Sequence, residues 1–314
     1  MSDKSSIEWT DATWNPTTGC TKVSPGCAHC YIETTTPFRM AGRKFINGAT
    51  DLRLHEGRLE QPLRWKKPKR IFVNSLSDLF HEGVSDAFID RVFATMQQTQ
   101  HTYQLLTKRH VRMREYSTAL AQLDPHARGR RILTSMYADH PARRAVLDNL
   151  EDKDVGAFPW PLPNVLFGHS VENQRAATRL DYLLSTPAAG RFVSVEPLLE
   201  HVEISPWLAR PLGQTRVDWV IVGGESGPSA RPFDLAWARA LVEQCRAAGV
   251  PVFVKQLGSS WFDAASRRGV RGSLVVPALN APWTWVKPGG KGGDMAEWPE
   301  DLQIREFPTV GATT

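Results

Sequence analysis

Short apolar runs rich in β-branched and aromatic residues punctuate the chain, and each gives way at once to polar or glycine positions. Ile71-Phe72-Val73 leads into Asn74-Ser75-Leu76-Ser77-Asp78, and Tyr103-Gln104-Leu105-Leu106 leads into Thr107-Lys108-Arg109. Val165-Leu166-Phe167-Gly168 precedes His169-Ser170-Val171-Glu172-Asn173, and Arg191-Phe192-Val193 precedes Ser194-Val195-Glu196-Pro197. Trp219-Val220-Ile221-Val222 runs into Gly223-Gly224-Glu225-Ser226-Gly227, and Val252-Phe253-Val254 into Lys255-Gln256. Continuous runs of this kind predict strands covered on both faces. Between them, helical periodicity predicts helices over 86–98 and 236–248. Ser85 is a candidate N-cap for the first, and Gly249 a candidate C′ residue for the second.

Strands alternating with helices predict an α/β fold with a parallel sheet, here a partial or complete (β/α) barrel; an open doubly wound sheet is the alternative. In both architectures function collects at the C-terminal ends of the strands, so six polar strand ends on one edge predict one site. Two segments break the rhythm. Residues 110–162 are charged and carry prolines, with helical patterns at 111–123 and 142–150, and read as an insertion between the third and fourth strands. After Gly258 the pattern stops, and Trp261, Trp283, Trp285 and Trp298 appear among prolines and glycines. The expected organisation is a barrel over 1–258 and a tryptophan-rich C-terminal covering arm over 259–314.

The 314 residues are 41% hydrophobic and 23% charged, enough apolar material for one large α/β domain. No apolar run approaches the ~20 residues that cross a bilayer. The polar N-terminal stretch fits neither a signal nor a transit peptide, so a cytoplasmic location is expected. The net charge of +5 favours anionic partners, nucleic acid first. Basic residues cluster at 64–70, where Trp65 lies among them, at 128–131 and at 267–271. Taken singly, each cluster is better read as a solvated face or a helix end than as a binding patch.

Four cysteines remain. Cys245 sits alone on the helical pattern before Gly249 and reads as a small buried hydrophobe. Cys20, Cys27 and Cys30 share a Gly/Pro loop, Gly19-Cys20-Thr21-Lys22-Val23-Ser24-Pro25-Gly26-Cys27-Ala28-His29-Cys30-Tyr31. In a reducing compartment such a trio reads as metal-binding or catalytic. Three thiolates can hold three irons of a 4Fe–4S cubane and leave the fourth iron open to another ligand. The competing reading is a structural zinc site built on Cys27-x-x-Cys30. It needs a fourth ligand, but His29 lies between two ligands and no second C-x-x-C exists, so a distant His55 or His81 would have to serve.

A cysteine loop ending in Cys-x-x-Cys plus an aromatic, followed by a βα pattern, resembles the radical S-adenosylmethionine (SAM) superfamily. Thr13-Trp14-Asn15-Pro16-Thr17-Thr18-Gly19-Cys20, Asn74-Ser75-Leu76-Ser77-Asp78-Leu79-Phe80, Leu106-Thr107-Lys108-Arg109, Ser170-Val171-Glu172-Asn173, Ser194-Val195-Glu196-Pro197-Leu198 and Gly223-Gly224-Glu225-Ser226-Gly227 are similar to a phage-associated radical SAM-like family of poorly defined function. The spacing differs: C-x6-C-x2-C here against the superfamily's usual C-x3-C-x2-C, with His29 where an aromatic is usual. The resemblance implies a 4Fe–4S cluster on Cys20, Cys27 and Cys30, with SAM as cofactor and a flavodoxin or ferredoxin as electron donor. By position it implies that Asn74, Ser75 and Ser77 bind the SAM amino group. It likewise puts Ser170, Glu172 and Asn173 at the ribose or carboxylate, with Ser194 and Glu196 nearby. Gly223, Gly224 and Glu225 resemble a Gly-Gly-Glu motif and are assigned to adenine or substrate contact.

The reaction implied is hydrogen abstraction by a 5′-deoxyadenosyl radical. The basic clusters and the resemblance together make a nucleic acid base, in DNA first, the expected substrate, with lesion repair or modification as the outcome. Within the superfamily this most resembles spore photoproduct lyase. That enzyme's hydrogen donor is a cysteine in the C-terminal region, and no cysteine follows Cys245 here. Tyr31, Tyr103 and Cys245 are the candidate donors. A peptide or small-metabolite substrate, and a non-catalytic zinc-stabilised nucleic-acid-binding protein, are the other readings.

Overall fold

The computed structural model describes residues 5–210, 214–270, 284–286 (backbone) and 291–309. Seven strands form one sheet in the order in which the chain visits them. They are β1 (Ala12–Trp14), β2 (Arg70–Val73), β3 (Thr102–Thr107), β4 (Val165–Ser170), β5 (Gly190–Val195), β6 (Trp219–Gly223) and β7 (Val252–Gln256). Every neighbouring pair is parallel. The sheet curls into a half-barrel, with β1 and β7 as its outermost strands. The partial form of the expected barrel is therefore the one observed. A doubly wound sheet would reverse its strand order at a switch point, and this sheet does not.

Among the described residues, six helices of six or more residues accompany the sheet: α1 (Asp86–Gln97), α2 (His110–Gln122), α3 (Pro125–Met136), α4 (Pro141–Asp148), α5 (Leu180–Ser185) and α6 (Leu235–Ala248). The expected caps form. The Ser85 hydroxyl accepts the Phe88 amide at 3.3 Å, and Gly249 closes α6 in the left-handed conformation at φ +63°. No described helix is long and apolar enough to cross a membrane.

In the insertion, α2 and α4 lie where the pattern predicts helices, and α3 is an addition. Asp124 caps α3 by accepting the amides of His126 and Ala127 at 3.0 and 3.1 Å, with Pro125 in the first turn. The basic cluster at 128–131 is turned inward. Arg128 donates to the carbonyls of Leu123 and Phe158 at 3.1 and 3.0 Å, and Arg130 donates to that of Leu147 at 2.8 Å. Arg131 straddles the buried Asp90 carboxylate on α1 at 3.0 Å. These arginines bolt the insertion to the domain, so this stretch is not the free basic patch that its composition suggests.

Side chains alternate across the sheet between two cores. On the convex face Ile71, Val73, Leu105, Val165, Phe167, Val193, Val195, Val220, Val222, Val252 and Val254 meet the helices, Phe88, Phe93, Leu183 and Leu241 among them. The concave face carries Phe72, Leu166, Phe192, Trp219, Ile221 and Phe253, and Trp9 from the N-terminal segment fills their middle. The Trp9 ring centroid lies 4.6 Å from Phe72, 6.2 Å from Phe192 and 6.1 Å from Trp219.

The last described residues cover the β7 edge. Val254 donates to the Ile304 carbonyl at 2.9 Å and Glu306 donates to that of Val252 at 3.1 Å. Phe307 packs on Trp219 and Phe253. Trp261 pairs β-fashion with Phe233 just ahead of α6, and Trp298 is buried. Of the described residues after Gly258, those at 304–307 therefore pack against β7. Trp283 lies outside the described residues, as does the side chain of Trp285.

Candidate functional site

Along the concave face the chemistry changes from bottom to top. The positions that continue the inward alternation beyond the aromatic layer are Gly168 and Ser170 on β4, Ser194 on β5, Gly223 on β6 and Lys255 on β7. Ser170 and Ser194 are register partners and both are buried. Small and polar residues therefore replace the large rings toward the C-terminal edge, where the connection after β1 crosses the strand ends.

That connection is anchored strand by strand. At the β2 end, the Asn15 amide donates to the Ser75 hydroxyl at 3.1 Å, and its oxygen accepts the Leu76 amide at 2.8 Å. Thr17 donates to Ser77 at 2.8 Å and accepts from the Asn74 amide at 2.9 Å. Gly19 then turns the chain at φ +101°, where a Cβ would sit 2.1 Å from the Asp51 carbonyl oxygen, so only glycine fits. At the β3 end, Arg109 donates to the Cys20 sulfur at 3.7 Å and to the Thr21 carbonyl at 3.2 Å. At the β4 side, the loop lies on Glu172, whose Cβ is 3.2 Å from where a Cβ on Gly26 would be. At the β6 end, His29 bonds to Glu225 at 3.2 Å and Arg231 donates to the Pro25 carbonyl at 3.0 Å.

One loop thus touches the C-terminal ends of four strands, and it carries all three clustered cysteines. Cys20, Cys27 and Cys30 are free and half-buried. Burial pushes the Cys20 thiol up to about 12, with Asp78 and Cys27 adding to the rise and Arg109 opposing it. Cys30 is raised too, chiefly by burial, with Cys27 contributing again. Each of the two thiols therefore lies in the electrostatic field of Cys27. Among the described residues no group of three or more His, Cys, Asp or Glu side chains is arranged to hold a metal ion. The histidines weighed for a zinc site are bonded elsewhere: His29 to Glu225, His55 to Thr18 at 2.9 Å, and His81 to Thr21 at 3.0 Å.

The ionised groups around the loop are paired. Glu172 has no exposed side-chain surface and lies 3.2 Å from Arg179 and 3.7 Å from Lys108. Burial alone would raise its carboxyl, but Lys108, the Ser24 hydroxyl and Arg179 hold it below the usual range. Glu225 likewise is held low against its burial by Arg231, which grips it in a fork at 2.9 and 2.6 Å, and by His29. Glu196 accepts from Lys255 at 2.7 Å and from Gln256 at 3.2 Å. Asp78 accepts from Thr107 at 2.7 Å, from the Lys108 amide at 3.1 Å and from Arg109 at 3.2 Å. Buried acceptors without a hydrogen-bond partner at this edge are Asn74 Oδ1, Glu172 Oε1 and His169 Nε2.

The candidate residues divide accordingly. Asn74, Ser75, Ser77, Glu172 and Glu225 meet the cysteine loop, and Ser170 and Ser194 lie on the concave face beneath it. Glu196 lies in the electrostatic field of Tyr31. The Asn173 side chain is taken up in capping the short helix Gln174–Ala177, accepting the Ala176 amide at 2.9 Å. Gly224 answers to packing, because a Cβ there would lie 2.3 Å from the Leu257 carbonyl oxygen; Gly223 sits beside Glu196. Of the hydrogen-donor candidates, Tyr31 adjoins Cys30 and donates its hydroxyl to the Ser75 carbonyl. Tyr103 is placed elsewhere, near the start of β3, with its hydroxyl bonded to Thr99 at 2.8 Å. Cys245 is buried on α6 in the convex core. Both therefore lie away from the loop, inside the outer packing layer. Asn15, Thr17, Asp78, Arg109 and Lys255 lie in the motif and strand-end runs without a role assigned to them, and Arg179 and Arg231 lie outside those runs. They act in pairs across different strands, which spacing along the chain does not display.

Residues 4–276 match the family model described as protein of unknown function (DUF5131). The chain belongs to that family. No curated protein and no solved structure matches it. For this DUF5131 member, then, the geometry of the loop and of the strand ends beneath it carries the functional argument.

Proposed function

We propose that the protein is an iron–sulfur enzyme of the radical SAM type, with Cys20, Cys27 and Cys30 as the ligands of a 4Fe–4S cluster. The observation that carries this reading is the loop itself. Three free, half-buried thiols sit on one segment tied to several strand ends at the C-terminal edge of a parallel half-barrel. The donor set suits the cluster, since three thiolates ligate three irons and leave one corner for an exchangeable ligand. With SAM bound at that corner, the cluster supplies the electron that breaks a sulfonium bond and yields a 5′-deoxyadenosyl radical.

The chain's own residues have four tasks in this reading. Asn74 Oδ1 and Glu172 Oε1, buried acceptors without partners, suit the ammonium and hydroxyl donors of SAM. Glu172 stays ionised because Lys108 and Arg179 offset its burial. The small residues Gly168, Ser170, Ser194 and Gly223 leave room on the concave face, and the aromatic layer below keeps water from entering from the bottom. Tyr31 is the hydrogen-donor candidate nearest the cysteines, since Tyr103 and Cys245 belong to the outer layer.

For the substrate we favour a nucleic acid base, with modification or lesion repair as the outcome. The exposed cations Arg39, Lys44 and Arg53 support it. The pairing of Thr17–Thr18 with Arg53–Leu54 brings their segment back beside the cysteine loop. The cluster at 64–70 does not contribute, because it precedes β2 at the opposite end of the sheet and Trp65 packs on the core.

The test is turnover of SAM. Reduced, anaerobic protein incubated with SAM is expected to release 5′-deoxyadenosine, and Cys30→Ala to abolish the release. No release from wild type would overturn the radical reading. Single-stranded DNA should bind with an affinity that falls steeply with salt; binding indifferent to salt would remove nucleic acid as the substrate.

A further inference from the structure

Arg109 occupies a place that its family resemblance does not explain. It follows β3 directly, its side chain is 5% exposed, and its guanidinium is fixed from every side. Nη1 is shared between the Cys20 sulfur at 3.7 Å and Asp78 at 3.2 Å. Nη2 is spent on the Thr21 carbonyl at 3.2 Å, and Nε on Glu82 at 3.1 Å to both oxygens. Asp78 is itself held by Thr107 and by two backbone amides, those of Phe80 and Lys108. Rotation of the guanidinium away from the sulfur would break several of these bonds at once. Among the described residues, Cys20 is the one of the three cysteines that receives a hydrogen bond from a cationic side chain.

A planar, permanently charged donor pinned against a sulfur has one clear use. It stabilises negative charge on that sulfur, and more so when the charge increases. Hydrogen bonds to ligand sulfurs and the nearby net charge are established levers on the potential of an iron–sulfur centre. We propose that Arg109 is a positioning residue that raises the reduction potential of the cluster held by Cys20, through its charge-assisted bond to the Cys20 sulfur. Asp78 aims the guanidinium, and Glu82, which is 69% exposed, partly offsets its charge from the solvent side. This inference rests on the iron–sulfur reading above.

The experiment is a reductive titration of the reconstituted protein, followed by its visible spectrum, for wild type, Arg109→Gln and Glu82→Gln. Arg109→Gln should shift the reduction equilibrium about tenfold toward the oxidised form, a fall of ~59 mV for one electron. Glu82→Gln lies on the surface and leaves the sulfur contact in place. It should shift the equilibrium the opposite way, by roughly two- to threefold. If Arg109→Gln holds no cluster, Glu82→Gln still decides the matter. Potentials equal to wild type in every variant that assembles would overturn the role of Arg109 and leave the iron–sulfur reading standing. Wild-type protein that takes up no iron would overturn both.

Discussion

The concave face of the half-barrel has two ends built on opposite principles. At the bottom, Trp9, Phe72, Phe192, Trp219 and Phe253 fill the space with rings. The Trp219 indole nitrogen donates to the Glu306 carbonyl at 2.9 Å, and the tail closes over it. At the top, the same strands end in serines, glycines and carboxylates, and the thiols are half-buried; buried polar atoms without partners occur at both ends, Trp9 Nε1 and Gln104 Oε1 below and Asn74 Oδ1, His169 Nε2 and Glu172 Oε1 above. Close packing is where stability comes from, and strand ends made of small and polar residues leave room instead. The lower end therefore holds the fold together, and the upper end is where the proposed site lies.

Substitutions at the two ends should separate these roles. The largest stability effect is expected below, where Trp219→Ala should cost about 3–5 kcal/mol in denaturant unfolding without changing the iron content of the folded fraction. Between pH 6.5 and 3 the buried His169 supplies the next. Burial pushes its imidazole down to about 3 from an unfolded value of 6.5. The unfolded chain therefore takes up a proton over that range that the folded chain refuses, and stability falls as pH falls. At pH 5 the loss is about 2 kcal/mol, and in His169→Gln that part of the pH dependence should vanish. Tyr103→Phe removes one hydrogen bond to Thr99 and should cost about 1 kcal/mol, with deoxyadenosine release unchanged. Retained stability with lost release would return Tyr103 to the reacting site. Smallest is Cys30→Ala in the metal-free protein, expected within about 1 kcal/mol of wild type, although under the proposed reading the same change abolishes cluster binding. A loss of several kcal/mol there would make the thiol a packing element and dissolve the contrast.

The strands were legible because β-branched runs such as Val220-Ile221-Val222 are covered on both faces, and the parallel half-barrel follows from their order. β1 was harder to place, since three residues, Ala12–Trp14, give too short a run to show a period. Helix α3 was hidden because Arg128 to Arg131 look like a solvated basic cluster, and only the structure turns them onto carbonyls and Asp90. The cysteine trio was visible from spacing alone. Its supports were not, because Arg109 meets Cys20 across 89 positions and His29 meets Glu225 across 196. Composition also overstated the basic surface: one cluster is internal and another lies at the end of the sheet remote from the cysteines. Asn173 and Gly224 were motif positions whose local geometry, a helix cap and a close backbone approach, accounts for them without a ligand.

The central claim is that the cysteine loop holds an iron–sulfur cluster over the open end of the half-barrel. Metal analysis and the visible spectrum of protein prepared without oxygen test it directly. The account predicts about four irons per chain and a broad absorbance near ~400 nm. Colourless protein carrying a single zinc, or no metal at all after reconstitution with iron and sulfide, would contradict it.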